Sequence, residues 1–403
     1  MQKKTLPILF VTLLIDMIGI GMIIPILPII FTDSSSPSFL LSGYTSGEQY
    51  LMAGLLTALF GLMQFLGAPI LGELSDVFGR KKLLILGVGV LALSQLLFGF
   101  GIEIGSLALL FFSRAVAGLA GANFSIAQAS IADVTDPKDR AKNFGLIGAA
   151  FGIGFILGPT LGGFLAHLFD SAAAPFWIAS ALGILNVLSV SLFLPETHHN
   201  RQAEHHFHFL KGIQNILAAW RDTEARPVYI SSFLYASGFT FFTSFVGILL
   251  VARFGLDESA IGTFFGVNGI WIVVTQLFIL RFITKWYDEK TILKVSLLVL
   301  AVTLALYPFI SSVVLLYALA PLLSIPNGLS MANMGALVSK SVSPKKQGAA
   351  LGINGSLMAL SQGTVPLLAG GISGLLGLRA PFLVGTSLII LAWFNLFIFS
   401  KRK

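Results

Sequence analysis

The sequence predicts an all-α polytopic membrane protein with twelve transmembrane helices in two pseudo-symmetric six-helix halves, and three observations carry that prediction. Of 403 residues, 56% are hydrophobic and only 11% charged, where a soluble domain carries about 25% charged residues. Apolar runs of the ~20 residues that cross a bilayer as helix recur along the chain, whereas a membrane β-barrel would show short alternating segments. Glycines and prolines of the second half repeat those of the first. Without cysteine there is no disulfide, thiol nucleophile or thiolate metal site. No Gly-rich loop leads into Lys-Ser/Thr, so a nucleotide-driven pump or other ATP-using machine is not expected.

In chain order the expected spans are 6–31, 48–72, 83–102, 106–132, 141–168, 174–194, 227–252, 259–283, 291–311, 313–337, 347–371 and 379–400. The first follows Lys3 and Lys4 and gives way to a polar loop from Thr32 to Gly47 with no small-residue cleavage site, so a retained helix is expected. The second and third are separated by a charged, glycine-bearing turn at 72–82, and the fourth stops at Asp133. The fifth and sixth are bounded by Lys138 to Lys142, Ala174-Pro175 and Pro195. Pro195 to Pro227 is the longest hydrophilic stretch and divides the chain into 1–194, a linker 195–226, and 227–403. Charged or turn residues then bound each remaining span: Arg253 to Glu258, Lys285 to Lys290, Ser311-Ser312, Lys340 to Lys346, Gly377 to Arg379 and the closing Lys401 to Lys403.

An even number of spans puts both termini on one side. That side holds Lys3, Lys4, Arg80, Lys81, Lys82, Lys138, Arg140, Lys142, Arg201, Lys211, Arg221, Arg226, Arg281, Lys285, Lys290, Lys294, Lys340, Lys345, Lys346, Lys401, Arg402 and Lys403, 22 of the 25 basic residues. Arg253 and Arg379 lie on the opposite side and Arg114 inside a span. The positive-inside rule makes the basic face cytoplasmic. The net charge of +7 is therefore a topology signal, and its scatter over short turns without aromatic interleaving argues against a nucleic-acid partner.

A shift of 207 residues superposes Gly121 on Gly328, Pro137 on Pro344, Gly145 on Gly352, Gly148 on Gly355, Pro159 on Pro366 and Gly163 on Gly370. These residue types fix backbone geometry and helix approach. Parallel repeats of this kind meet on an axis along the membrane normal and can expose a site between them to either side in turn.

The 2–3 turn reads Gly72-Glu-Leu-Ser-Asp76-Val-Phe-Gly79-Arg80-Lys81-Lys82. Span 4 contains Arg114-Ala-Val-Ala-Gly118, and span 5 contains Gly154-Phe-Ile-Leu-Gly158-Pro159-Thr-Leu-Gly162-Gly163. Glycines at 72 and 79 would permit a tight helix–turn–helix, and Asp76 could face the positive end of a neighbouring helix, a contact of roughly 0.3–1 kcal/mol when exposed. Together with twelve spans these motifs resemble the major facilitator superfamily. The span 5 pattern is similar to the one that marks its antiporters. Asp16-Met-Ile-Gly-Ile-Gly-Met-Ile-Ile-Pro25-Ile-Leu-Pro28, with Ile131-Ala-Asp133 through Arg140 and Phe144-Gly145, resembles tetracycline-resistance drug:proton antiporters. The resemblance implies gating roles for Gly72, Asp76, Gly79, Arg80, Asp133, Arg140, Gly154, Gly158, Pro159 and Gly162.

Asp16 lies ~15 Å into span 1, near the midplane, and no other carboxylate lies deep in a span. A charge there costs at least ~2.5–3.5 kcal/mol, so Asp16 is expected to face a cavity and to carry the coupling proton. Arg114 sits ~12 Å above that level, too far for direct pairing, and is expected to act through water or the cavity potential. Asn123 falls near the level of Asp16. With Gln128, Gln276 and Asn354, and with Phe241 and Phe242 of the aromatic run 239–245, it forms the set of candidate substrate contacts. His198, His199, His205, His206 and His208 cluster in the linker; without ordered carboxylate partners a solvated loop is expected and no metal site.

Where the resembled tetracycline pumps carry an acid in span 3 this chain has Ser94, and span 9 has no acid from Val295 to Ile310. A positively charged metal–tetracycline complex would lack that complementarity. The expectation is a monomeric secondary transporter without cofactor, in a bacterial inner membrane, exporting small lipophilic compounds in exchange for protons. Proton-coupled uptake of a nutrient or uniport, and a non-transporting receptor of the same fold, are the alternatives.

Overall fold

The computed structural model describes residues 2–121, 123–135, 140–198, 211–343 and 346–401. Four of the five clustered histidines, His199, His205, His206 and His208, lie outside them, as does the side chain of Arg140. The spans are Gln2–Gly21 with Ile23–Thr32 (span 1), Ser46–Phe78 (span 2), Arg80–Glu103 (span 3), Leu107–Ala120 with Asn123–Asp133 (span 4), Arg140–Leu168 (span 5) and Ala174–Phe193 (span 6). Spans 7 to 12 are Arg226–Phe254, Glu258–Ile283, Glu289–Phe309, Val313–Lys340, Gln347–Leu376 and Ala380–Lys401. Eleven are long and apolar enough to cross a membrane over their length, and span 5 is apolar over Gly152–Leu168.

Local chemistry explains the interruptions. Span 1 breaks at Met22, and the Pro25 ring that follows would meet the carbonyl of Gly21 in a continuous helix. Span 10 breaks at Leu319 beside Pro321, and Pro308 tightens the end of span 9 into a 3₁₀ turn, Tyr307–Phe309. Ser106, Asp288 and Ser312 cap the helices that follow them by accepting from Leu109, Thr291 and Leu315 N–H. The turn between spans 2 and 3 is made by Gly79 alone, at φ +100°. Gly72 is not part of it, contrary to the sequence expectation. Span 2 stays helical through Gly72 to Phe78, and a methyl at Gly72 would meet only Ser125 Oγ, at 3.8 Å. The linker also differs from a plain loop: Lys211–Arg221 is an amphipathic helix with Ile213, Leu217 and Trp220 exposed along one side.

Two compact units organise the described chain. The first comprises Met1–Ser42, Leu59–Lys211 and Asp257–Thr263. Its core is built from Leu9 and Leu13 of span 1, Leu84 and Val88 of span 3, Ile126 and Ile131 of span 4, Ile147 of span 5 and Val190 of span 6. The Thr12 hydroxyl donates to Asn186 Oδ1 (3.1 Å), tying span 1 to span 6. Segment Asp257–Thr263 packs on span 5 so closely that a methyl on Gly262 would fall 2.7 Å from the Pro159 carbonyl oxygen.

The second unit comprises Gly43–Ala58, Gly212–Leu256 and Phe264–Lys403. Phe242 of span 7 packs edge-on against Tyr307 (4.9 Å) and Phe382 (6.0 Å). Segment Gly43–Ala58 lies on span 11, where a methyl on Gly54 would fall 2.3 Å from the Pro366 carbonyl oxygen and 3.1 Å from Gly370 Cα. Gly121 and Gly328, which the 207-residue shift superposes, each accept from a glutamine, although the two glutamines are 212 residues apart. Gln64 Nε2 donates to the Gly121 carbonyl (3.2 Å) in the first unit, and Gln276 Nε2 donates to the Gly328 carbonyl (3.1 Å) in the second.

Candidate functional site

The first unit gathers its polar chemistry at two levels. At the deeper one, Asp16 is 5% exposed and accepts from Asn123 Nδ2 at 2.9 Å. Two features of sequence place the amide there. Span 4 restarts as helix at Asn123 after the Gly121 turn. Span 3 offers Gly87 opposite, where a methyl would lie 2.0 Å from Asn123 Oδ1. Gly87 was not singled out from sequence, because a glycine within a glycine-rich apolar helix carries no local mark of what crosses it.

Arg114, on the same span as Asn123, is 4% exposed and does not reach Asp16. Its guanidinium carbon stands 4.8 Å from the Phe98 ring centroid and 5.8 Å from that of Phe60. Its Nε and Nη2 have no hydrogen-bond partner among the described residues. Cation–π attraction therefore holds the group in an aromatic slot, and its charge acts on the surroundings without a paired carboxylate.

Span 5 runs alongside. Methyls added to Gly154, Gly158 and Gly162 would fall 2.3 Å from Met17 Cβ, 2.8 Å from Gly21 Cα and 2.6 Å from the Met22 carbonyl oxygen. Spacing by four residues puts the three glycines on one helix face. They form a seam along span 1 that starts one residue past Asp16. A methyl on Gly21 would in turn meet Pro159 Cδ at 3.1 Å.

The second level is the turn between spans 2 and 3. Arg80 Nη1 lies 2.5 Å from Asp76 Oδ1 and 2.5 Å from Ser75 Oγ, and its Nε lies 3.2 Å from Asp133 Oδ2. One guanidinium thus joins the end of span 2 to the end of span 4. Asp76 was expected to face a helix N-terminus; the carboxylate that does so is Glu196, which accepts from the backbone N–H groups of Arg80, Thr197 and His198, each at 3.0 Å. Glu196 was missed because it follows span 6 directly in sequence and reads as the start of a loop. His198 Nδ1 stands 3.8 Å from Asp133 Oδ2.

The sequence-derived substrate contacts are divided between the two units. Asn123 is bonded to Asp16, and Gln128 is exposed on span 4. In the second unit Phe241 and Phe242 are buried, at 2% each. Gln276 sits in a π-helical segment of span 8, Thr275–Ile279, and donates to Gly328. Asn354 Oδ1 accepts from the Ser232 hydroxyl at 2.6 Å. A Tyr235–Asn327 bond (2.7 Å) between spans 7 and 10 was not foreseen.

A model of the Major Facilitator Superfamily matches residues 9–246 and 228–403. The chain is 30% identical over 400 residues to the class C tetracycline resistance protein of Escherichia coli, covering 92% of this chain and 90% of that protein. It is 29% identical over 373 residues to multidrug resistance protein 1 of Bacillus subtilis (strain 168), covering 92% and 90%. Among solved structures, the human organic anion transporter MFSD10 (TETRAN) superposes with a TM-score of 0.73 at 24% identity, covering 98% of this chain and 99% of that one.

Proposed function

This chain belongs to the major facilitator superfamily, and on that premise we propose that it is a secondary transporter exporting small lipophilic organic compounds in exchange for protons. The observation that carries the reading is Asp16: the one carboxylate deep in a span, 5% exposed and held by a single amide. A buried carboxylate with one neutral donor is poorly compensated when charged, so taking up a proton relieves it and releasing one costs energy. Loading and unloading that proton biases one facing state against the other, while substrate favours the opposite state. A ligand shifts such an equilibrium only by its difference in affinity for the two states.

The remaining parts take roles around it. Residues 1–194 and 227–403 are the two moving halves, and the linker lies between them. The Asp76–Arg80–Asp133 set, with Arg140, gates the cytoplasmic side. The glycine seam of Gly154, Gly158 and Gly162, with Pro159, lets span 5 follow span 1. The Arg114 charge, held without a counter-ion, sets the potential in which the proton moves. Substrate contacts come from Gln128 and from Asn123, Phe241, Phe242, Gln276 and Asn354 when their internal contacts open. Ser94, whose hydroxyl donates to the Leu91 carbonyl at 2.7 Å, supplies no negative charge in span 3. A neutral or weakly basic lipophile therefore fits better than a metal–tetracycline cation. The protein acts as a monomer in a bacterial inner membrane, with both termini cytoplasmic.

The test is transport by purified protein in liposomes with imposed pH gradients, using a panel of lipophilic dyes and drugs. Antiport accumulates substrate in acid-loaded vesicles and dissipates that gradient. Accumulation driven only by an alkaline interior would establish symport instead, and no flux of any compound would remove the transporter reading.

A further inference from the structure

By span order, one membrane face carries the turns after spans 1, 3, 5, 7, 9 and 11. It bears six carboxylates, Asp33, Glu48, Glu103, Asp170, Asp257 and Glu258, against two cations, Arg253 and Arg379. Both cations line a single open cavity of about 420 Å³ within the second unit, together with Leu249, Ala252, Leu376 and Leu378. The 3₁₀ turn at the end of span 9 holds both of them. Arg253 Nη1 donates to the Pro308 carbonyl oxygen, and the Arg379 guanidinium lies 5.3 Å from the ring centroid of the next residue, Phe309. Among the described residues, no carboxylate stands within ion-pair distance of either arginine.

Two like charges on one cavity repel each other. Each guanidinium has five N–H donors, and the Pro308 carbonyl occupies only part of one set. An anion with several oxygens relieves the repulsion and fills the donors, and the planar fork of arginine suits phosphate. The leucines beside the two cations suit an aliphatic portion directly attached to that head. We propose that this cleft binds the anionic phosphate head of an amphiphile, its oxygens on Arg253 and Arg379 and its aliphatic part on Leu249, Leu376 and Leu378. The phosphate can come from a phospholipid of the surrounding leaflet or from a free anion.

Full-length protein in a non-ionic detergent is titrated with dihexanoyl phosphatidylglycerol, dihexanoyl phosphatidylcholine and inorganic phosphate, following heat of binding. Phosphatidylglycerol should bind at least roughly tenfold more tightly than the zwitterionic lipid, and Arg379→Gln should weaken it by roughly tenfold. Arg379→Lys should retain part of that affinity. Phosphatidylglycerol binding without inorganic phosphate binding assigns the lipid source; inorganic phosphate binding that Arg379→Gln removes assigns the free anion. Arg253→Gln should act in the same direction, but because Arg253 also holds Pro308, the exposed Arg379 is the deciding position. Equal binding of both lipids with no phosphate binding, or an unchanged phosphatidylglycerol affinity in Arg379→Gln protein of normal melting temperature, overturns the proposal. None of these readouts depends on transport.

Discussion

Replacing Gly158 by alanine puts a methyl 2.8 Å from Gly21 Cα and 2.9 Å from the Ile18 carbonyl oxygen. Carbon atoms in contact rest about 3.5–4.0 Å apart, so span 1 must withdraw by roughly 0.7 Å at that level. Both obstacles are backbone, and no rotamer change relieves them. Overpacking of this kind costs about 1–3 kcal/mol, offset by about 0.5–1 kcal/mol from replacing a helical glycine, for a net loss of about 0–2.5 kcal/mol. The functional loss should be larger. Asp16 lies two residues before Ile18, and the same withdrawal stretches its 2.9 Å bond to Asn123 to as much as about 3.6 Å, beyond hydrogen-bonding distance. Gly152, six residues earlier on span 5, has open space within 4 Å of the place an added methyl would take, so Gly152→Ala collects only the helix gain. Thermal unfolding in detergent and gradient-driven flux in liposomes, measured on both variants and on Gly154→Ala, check the chain of reasoning. Gly158→Ala protein as stable and as active as Gly152→Ala protein would refute the idea that close packing of spans 1 and 5 positions Asp16.

Further consequences follow from the other contacts. Arg80→Gln leaves Asp76 and Asp133 without their shared cation, whereas Asp76→Asn leaves Arg80 one carboxylate; unfolding should show the first as the costlier by about 1–3 kcal/mol, and both should slow transport with normal membrane insertion. Gln64→Leu and Gln276→Leu each remove one amide–carbonyl bond to Gly121 or Gly328, the glycines that the repeat superposes, and each should cost about 0.6–1.7 kcal/mol in unfolding assays. The Thr291 side chain, then its backbone N–H, holds the Asp288 carboxyl below its ordinary value. Its cap therefore contributes above the ordinary carboxylate range and is lost as pH falls through the lowered value; Asp288→Ala should cost about 0.5 kcal/mol near neutral pH and remove that acid-side slope.

The spans were legible because apolar length and flanking charge are local properties; the break in span 1 at Met22, before Pro25, was not expected. Asp16 was legible through scarcity, and its level relative to Asn123 through helix rise alone. What escaped depends on partners distant in sequence. Gly87 matters only because Asn123 crosses it, and Glu196 only because the chain after span 6 returns to the start of span 3. Gly72 misled because a motif glycine looks like a turn, while the helix runs through it to Gly79. The helix Lys211–Arg221 escaped because eleven mixed residues inside a hydrophilic linker offer too short a period to stand out.

The central claim, that Asp16 carries the coupled proton, is tested most directly by Asp16→Asn protein in liposomes, where gradient-driven accumulation and substrate exchange at equal pH are measured side by side. The account predicts that exchange persists while accumulation no longer responds to the gradient. Accumulation in the Asn variant that tracks the gradient as it does in the unaltered protein would contradict it.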